Sequence, residues 1–549
     1  VIQKDIIGYR GSCCDTGRIV VIQKDIIVVG GGIAGLTAAL SLAHKGRDVL
    51  LIEKNEHCGG LMNSFVRDGF RFEGGARALV NAGLVKPLVK EFGLDLTMLP
   101  NPITLGVEDK LLAIDGEPSL HAYAGLLKDL YPESGEEVDR IILAIHTIIE
   151  DMKVLYGVDN PLFTRKKKNI LLLAPSVIAW TFRFIRTMYR ISKMDTPFEE
   201  YLDAISSNQS LKDIIGQHFF RKTPVFFALS YFALYNDYIY PEGGVGAFID
   251  TLVDAIRKRG GEVRCDTGIV RIDPSGKTMI DSAGEAYRYS KLIWAGDLKA
   301  LYTMSTGAGL GEKEQAAFSR RREAILACKG AESVFSVFVA VDMLPEAFGK
   351  VASGHVFHTP DRRGLGQVHT AELNDLLKRW DTVSRDEVYA WLKRFTRYNT
   401  FEISIPALRD PDAAPAGKTG LIISALFDYE LTERVRADGW HEEFKKHVEA
   451  EFIEVISKSL YPGLKDKILF SFSASPVSIF DRVGSSEGSI VGWSFEEEIP
   501  VVTSMFHMAD SVKTALPGVY AAGKWVYSPA GGPTAIMTGR IAAKRLLRG

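Results

Sequence analysis

The residues with the most definite chemical potential come early in the chain. Gly30-Gly31-Gly32-Ile33-Ala34-Gly35 has the spacing G-x-G-x-x-G, and it lies between a β-branched run, Asp25-Ile-Ile-Val-Val29, and a helix-forming stretch, Leu36 to His44. In that setting each glycine has a task. Gly30 permits a tight turn, Gly32 lets a pyrophosphate approach the backbone, and Gly35 lets helix and strand pack closely. The helix N-terminus, with Ile33 and Ala34 in the cradle, offers oriented N–H groups to the anion. A second strand, Asp48-Val-Leu-Leu-Ile52, ends in Glu53, the spacing at which a carboxylate accepts hydrogen bonds from both ribose hydroxyls of a dinucleotide. The pattern predicts a dinucleotide site and leaves NAD and FAD both open.

The elements that must position these residues fit a large globular protein. The chain has 549 residues, 66 basic against 68 acidic side chains, 46% hydrophobic content and 5 cysteines. That composition excludes a disordered or collagen-like chain and a disulfide-stapled scaffold. A net charge of -2 provides no global field for nucleic acid, so no nucleic-acid partner is expected. The cysteines form no C-x-x-C pair and the histidines no zincin spacing, so no metal site is expected. Ile26 to Ala43 is uncharged, but its four glycines argue for the strand–turn–helix unit and against a membrane span. No secretory h-region is visible at the start, and the expected location is cytoplasmic or peripheral on the cytoplasmic membrane face. Val1 to Ile7 repeats the sequence of Val21 to Ile27. The second copy has a structural home in the first strand, and residues 1–20 are read as an extension or a duplication artefact.

Beyond Glu53 the chain reads Lys54, then His57-Cys58-Gly59-Gly60-Leu61-Met62-Asn63-Ser64, then Glu73-Gly74-Gly75-Ala76-Arg77. Here it resembles the phytoene desaturase-like branch of the FAD-dependent amine oxidase superfamily, which includes carotenoid desaturases, prolycopene isomerase and retinol saturase. The resemblance implies FAD as cofactor. It places Lys54, Gly59, Gly60 and Leu61 by the diphosphate and ribityl chain, and Gly75, Ala76 and Arg77 by the isoalloxazine. Tyr240-Pro241-Glu242-Gly243-Gly244 and the helix to Arg259 look like the family's second contribution to the cofactor domain, with backbone near Val270 facing the adenine. Gly518 to Trp525, then Gly531-Gly532-Pro533-Thr534-Ala535 and the helix to Leu547, are similar to its closing flavin motif. By that likeness Gly523, Lys524, Gly532, Pro533, Thr534 and Ala535 contact the cofactor. One departure stands out: many relatives have Asp where this chain has Lys524, which is left to reach a phosphate oxygen or point to solvent.

The implied fold class is α/β, a Rossmann-type, glutathione-reductase-like FAD-binding domain with an interleaved α+β substrate-binding domain. The first is assembled from residues 21–100, 240–300 and 480–549, the second from 101–239 and 301–479. The resemblance implies an oxidoreductase acting on C–C or C=C bonds of a hydrophobic isoprenoid or other lipid by desaturation, saturation or isomerisation. A hydrocarbon offers no polar handle, so the aromatic-dense stretch Phe219 to Tyr240 is expected to line its tunnel. Arg77 and Tyr240, each beside a glycine block, are the catalytic candidates, weighed against structural roles for both. An amine or porphyrinogen oxidase and a flavin-free prenyl-lipid carrier on the same fold stay open as alternatives, and the oligomeric state is not legible.

Residues 165–194 carry Arg165, Lys166, Lys167, Lys168, Arg183, Arg186, Arg190 and Lys193 with no acid, a +8 segment concealed in the near-neutral total. The apolar stretch Ile170 to Phe182 is too short for a bilayer span of ~20 residues. The amphipathic stretch after it suits a helix lying in the membrane interface, against the bland reading of a solvated basic face. Gly484-Ser-Ser-Glu-Gly488 and Gly307-Ala-Gly-Leu-Gly311 match catalytic and nucleotide motifs only formally, since neither has the required strand before it.

Overall fold

The computed structural model describes residues 21–116, 118–156, 174–191 and 193–548. The first VIQKDII copy and the basic run Arg165 to Lys168 lie outside these residues. Seven strands form the first sheet: β1 (Val21–Val29), β2 (Val49–Ile52), β3 (Glu262–Arg264), β4 (Ile269–Asp273), β5 (Thr278–Asp281), β6 (Ala286–Trp294) and β7 (Val519–Ala521). Their order is β3-β2-β1-β6-β5-β4, with β7 beside β6. The β3-β2-β1-β6-β7 part is parallel, and β5 and β4 are antiparallel additions. A parallel strand is covered on both faces, which is why the end of β1 is an unbroken apolar run. Its Ile26 and Val28 enter one core and its Ile27 and Val29 the other.

Four helices matter for the site: α1 (Ile33–Ala43), α2 (Ala174–Ile191), α3 (Val245–Lys258) and α4 (Gly532–Leu546). α1 starts at Ile33, three residues before the expected Leu36, because Gly32 serves as its N-cap. α3 buries Val245, Phe248, Ile249, Leu252 and Ile256, a stripe at helical period that faces the same core as α1. α4 lies directly against α1; a Cβ at Gly539 would overlap Ala34 O.

A second seven-stranded sheet runs Ile468–Ala474, Ser333–Val341, Thr419–Phe427, Phe401–Ser404, His355–Thr359, Ile103–Val107, Lys110–Ile114. One face, with Phe335, Val337, Ile423 and Ile403, packs on the helices at 385–398 and 441–459. On the other face, register aligns Ser336 with Ser424 and Ser424 with Glu402. That polar row interrupts a surface otherwise built from Phe338, Ala340 and Ile422, which packs on Phe70 and Phe72. A third compartment, helical, buries Leu127, Ile141, Leu211 and Leu229.

The charged run at 371–397 is divided: it breaks before Arg385, where Ser384 caps a new helix and Glu387 closes the capping box. The loop at Pro406 to Pro415 contains two short 3-10 turns, and Asp410 pins it by pairing with Arg71 at 2.5 Å and accepting from the Gly243 N–H at 2.9 Å.

Candidate functional site

A single cavity of about 980 Å³ opens at the C-terminal ends of β1, β2 and β6 and continues under the helical compartment. Its first half is walled by backbone. At Gly32 an added Cβ would meet nothing within 4 Å, and at Gly60 it would meet only Gly32 Cα, at 3.6 Å. These two glycines leave open room beside the α1 N-terminus. Gly35 does the opposite: a Cβ there would overlap Gly30 O, so it serves helix–strand packing and does not line the cavity. Gly75 does line the cavity, but an added Cβ there would be stopped by Leu61 O. Glu53, 6% exposed, is held in place by the Gly31 N–H at 2.6 Å on Oε2 and by Asn55 N and Nδ2 at 3.0 and 2.9 Å on Oε1.

The C-terminal segment supplies the facing wall. Gly523 N donates to Thr538 Oγ1 at 3.0 Å, which fixes the turn from β7 to α4. Lys524 is partly buried and pairs with no acid among the described residues. Its Nζ donates to Ser485 Oγ at 2.8 Å and to Ser489 O. Burial pushes its pKa down to about 7, opposed only by the charge of Asp297. Lys54 approaches the same turn, since a Cβ on Gly484 would lie 2.8 Å from its Nζ, and burial lowers its pKa as well. Two under-compensated amines therefore flank the 484–485 turn in the backbone-lined half.

The two catalytic candidates part company. Arg77 lines the cavity, but its guanidinium is largely consumed. Nη1 donates to Glu73 O at 3.0 Å and to Gly75 O, and Nη2 donates to Ser336 Oγ at 2.7 Å and Ser424 Oγ at 2.6 Å. It ties the glycine loop to the polar row of the second sheet. Tyr240 is fully buried and is not among the cavity-lining residues. Its hydroxyl donates to Glu73 Oε1 at 2.6 Å, and Glu73 also accepts from Ser64 Oγ at 2.6 Å and Val245 N at 3.2 Å. The expectation that Tyr240 touches the reacting atoms is corrected: it holds the α3 N-terminus and the Ser64–Arg67/Phe70–Glu73 hairpin together from behind the wall.

The expected contact near Val270 also shifts. A register irregularity between Ile269 and Arg271 leaves Val270 half-exposed, and Gly268 and Ile269 line the cavity in its place. Gly35, also expected at the cofactor, is taken up by helix–strand packing; the remaining cofactor-contact residues expected from sequence line the cavity. Of the aromatic stretch, Phe220, Phe226, Phe227, Tyr231 and Tyr238 do so, while Phe219, Phe232 and Tyr235 pack into the helical core. Sequence reasoning missed Asp297 and Glu402. Asp297 follows β6, caps the helix Leu298–Met304 and accepts from Ser486 N at 2.7 Å; its signal was a strand ending in Gly296-Asp297 before a helix. Glu402 had a signal too, a charge within an apolar strand.

The geometry defines a two-compartment protein, in which a glycine-walled dinucleotide cradle opens directly into an aromatic, apolar chamber. The family described as NAD(P)-binding Rossmann-like domain matches residues 28–92. The chain is 22% identical to all-trans-retinol 13,14-reductase of Danio rerio, over 91% of this chain and 82% of that protein. It is 23% identical to phytoene desaturase (neurosporene-forming) of Rhodobacter capsulatus, over 95% and 93%. Wild-type putrescine oxidase shares the fold at a TM-score of 0.58 and 14% identity, covering 96% of this chain and all of that one. Along most of its length the chain is thus similar to a retinol reductase and a phytoene desaturase, on a fold shared with putrescine oxidase.

Proposed function

We propose that the protein binds FAD in the glycine-walled half of the cavity and forms, saturates or rearranges C=C bonds of a polyene isoprenoid in the aromatic half. One observation carries this reading: both halves are a single continuous space, lined at one end by Gly32 and Gly60 and at the other by Phe226, Phe227 and Tyr231. The residues present fit the cofactor. Open Cα positions at Gly32 and Gly60 and a helix N-terminus suit a diphosphate, Glu53 suits a ribose, and Lys54 and Lys524 are amines with no ion-pair partner among the described residues. When bound, the flavin supplies two-electron chemistry, and the protein supplies position and exclusion of water. Arg77, by clamping Gly75 O to Ser336 and Ser424, keeps the glycine loop against the chamber. The N-terminus of α4, beginning at Gly532, provides N–H groups and a positive dipole end suited to negative charge on a reduced ring.

The purified protein is expected to show flavin absorbance, and anaerobic addition of phytoene or all-trans-retinol is expected to change its oxidation state or to give an isomerised product. A protein free of flavin would point to a carrier, and bleaching by amines but not polyenes would point to an amine oxidase.

We further propose that α2 rests on a membrane surface. Its inner side contributes Met188 and Ile191 to the cavity wall. Its outer side shows Phe182, Ile185 and Tyr189, 58–72% exposed, on one arc and the exposed Arg183 and Arg186 on the adjoining arc. An apolar strip edged by basic groups suits an interface with anionic headgroups. No helix among the described residues is long and apolar enough to cross a membrane. Cosedimentation with anionic liposomes at low salt is expected, and should be lost in Phe182→Ser/Ile185→Ser; no cosedimentation of the wild type sinks the proposal.

A further inference from the structure

Glu402 is the one feature of the chamber that a hydrocarbon does not explain. It lies on the strand Phe401–Ser404, lines the cavity and keeps 33% of its side chain accessible. The other cavity carboxylates are accounted for: Glu53 and Asp297 are each held by backbone or amide donors, and Asp195 is solvent-exposed. Glu402 Oε1 is bonded to His355 Nε2 at 2.9 Å, and Oε2 has no hydrogen-bond partner among the described residues.

The direction of that bond follows from the groups behind it. Arg409 can only donate, and its Nη1 bonds Asn101 Oδ1. The Asn101 amide therefore presents Nδ2 to His355 Nδ1, at 3.1 Å. Nδ1 accepts, so the imidazole carries its proton on Nε2 and donates it to Glu402. His355 is completely buried, and burial favours its neutral form. Burial alone would raise the Glu402 pKa, but the His355 bond and the charges of Arg77 and Arg409 outweigh it and hold the carboxylate ionised.

A carboxylate fixed as an anion in an apolar chamber loses hydration when a ligand enters, and a pure hydrocarbon returns nothing to Oε2. A ligand with a hydrogen-bond donor does. Arg77 and Arg409 already offset the carboxylate's charge, which disfavours a cationic donor and favours a neutral one.

We propose that Glu402 Oε2 is the recognition point for a hydroxyl group, so that the chamber selects an isoprenoid alcohol over the corresponding hydrocarbon. This rests on reading the chamber as a polyene site and adds the class of head group. The hydroxyl end then lies beside Arg77 and the Gly74–Arg77 loop.

The test is binding, followed by quenching of the cavity tryptophans Trp294 and Trp525. The probes are all-trans-retinol, its methyl ether, its deoxy hydrocarbon and retinylamine. The wild type should bind the alcohol at least about tenfold tighter than the ether or the hydrocarbon, as expected for a bond to a charged acceptor, and tighter than the amine. Glu402→Gln, which keeps the His355 bond, should reduce the preference to about threefold or less, and Glu402→Leu should reverse it in favour of the hydrocarbon; unfolding temperature and flavin content report that both variants fold. Equal binding of alcohol and hydrocarbon by the wild type, or a preference unchanged in both variants, overturns the proposal. Tightest binding of the amine, lost in Glu402→Leu, overturns it in favour of an ammonium site. Binding of no polyene by the wild type removes the polyene reading as well, whereas Glu402-independent hydrocarbon binding removes only this one.

Discussion

Gly32→Asp is expected to lower FAD affinity by at least about two orders of magnitude and leave the protein folded. Gly32 is the N-cap of α1, with φ -70° and ψ 173°, and makes no side-chain cap. Those angles suit any residue, and Asp is among the best N-caps. A Cβ there meets no atom within 4 Å, so the fold accepts the change and gains a cap. The new carboxylate, however, takes the N–H groups at the helix start and puts negative charge where a diphosphate would bind. Gly35→Ala is the contrasting variant. Its Cβ would overlap Gly30 O and lie 3.1 Å from Ala295 Cβ, so it should cost roughly 1–3 kcal/mol of stability through overpacking. Titration calorimetry with FAD and thermal unfolding of both variants separate the roles. Tight FAD binding by Gly32→Asp would show that the cradle is not the diphosphate site.

The second large effect is a pH dependence of cofactor binding that originates at Lys524. Burial lowers its pKa to about 7 in the cofactor-free protein, so above that pH the amine is neutral and donates to Ser485 and Ser489 without charge. A bound diphosphate favours the ammonium form. Binding above pH 7 must therefore be accompanied by proton uptake, and FAD affinity should fall by up to about tenfold per pH unit from 7 toward 9. The cofactor-free protein responds in the opposite sense. An unfolded chain keeps this proton until about pH 10.4 and the folded one releases it near 7, so the Lys524 contribution to stability rises with pH across that window. Lys524→Gln should flatten both dependences. Calorimetry of FAD binding at pH 8 in two buffers of different ionisation enthalpy measures the proton directly, and no uptake by the wild type would rule Lys524 out as a cofactor cation.

The parts of the protein that were readable from sequence are those where one local rule acts alone. The strand–glycine–helix unit at 26–43 was legible because Gly30, Gly32 and Gly35 each answer a backbone requirement set within a few residues. The chamber was legible only in part. Phe226, Phe227 and Tyr231 line it while Phe232 of the same helix does not, because an aromatic-rich helix satisfies two neighbours and its sequence does not say which face meets which. Tyr240 misled for a related reason: adjacency to a glycine block is close in sequence, but its hydroxyl points at Glu73, 167 residues away. Glu402 was legible only as a charge in an apolar strand, because its role depends on Ser424, Ser336 and His355 on three other strands, and strand register is a long-range property.

The position of α4 has a consequence for biosynthesis. β7 is the last strand to join the first sheet, and α4 follows it, seals against α1 through Gly539 and Ala34, and contributes Gly531 to Ala535 to the cavity wall. While residues 519–546 are still within the ribosome, the nascent chain holds the cradle of Gly30 to Gly35 with one wall missing and the apolar face of α1 uncovered. The cradle is thereby completed late, and until α4 docks the chain depends on whatever shields that face, so the time between emergence of α1 and emergence of α4 is its period of greatest exposure to aggregation.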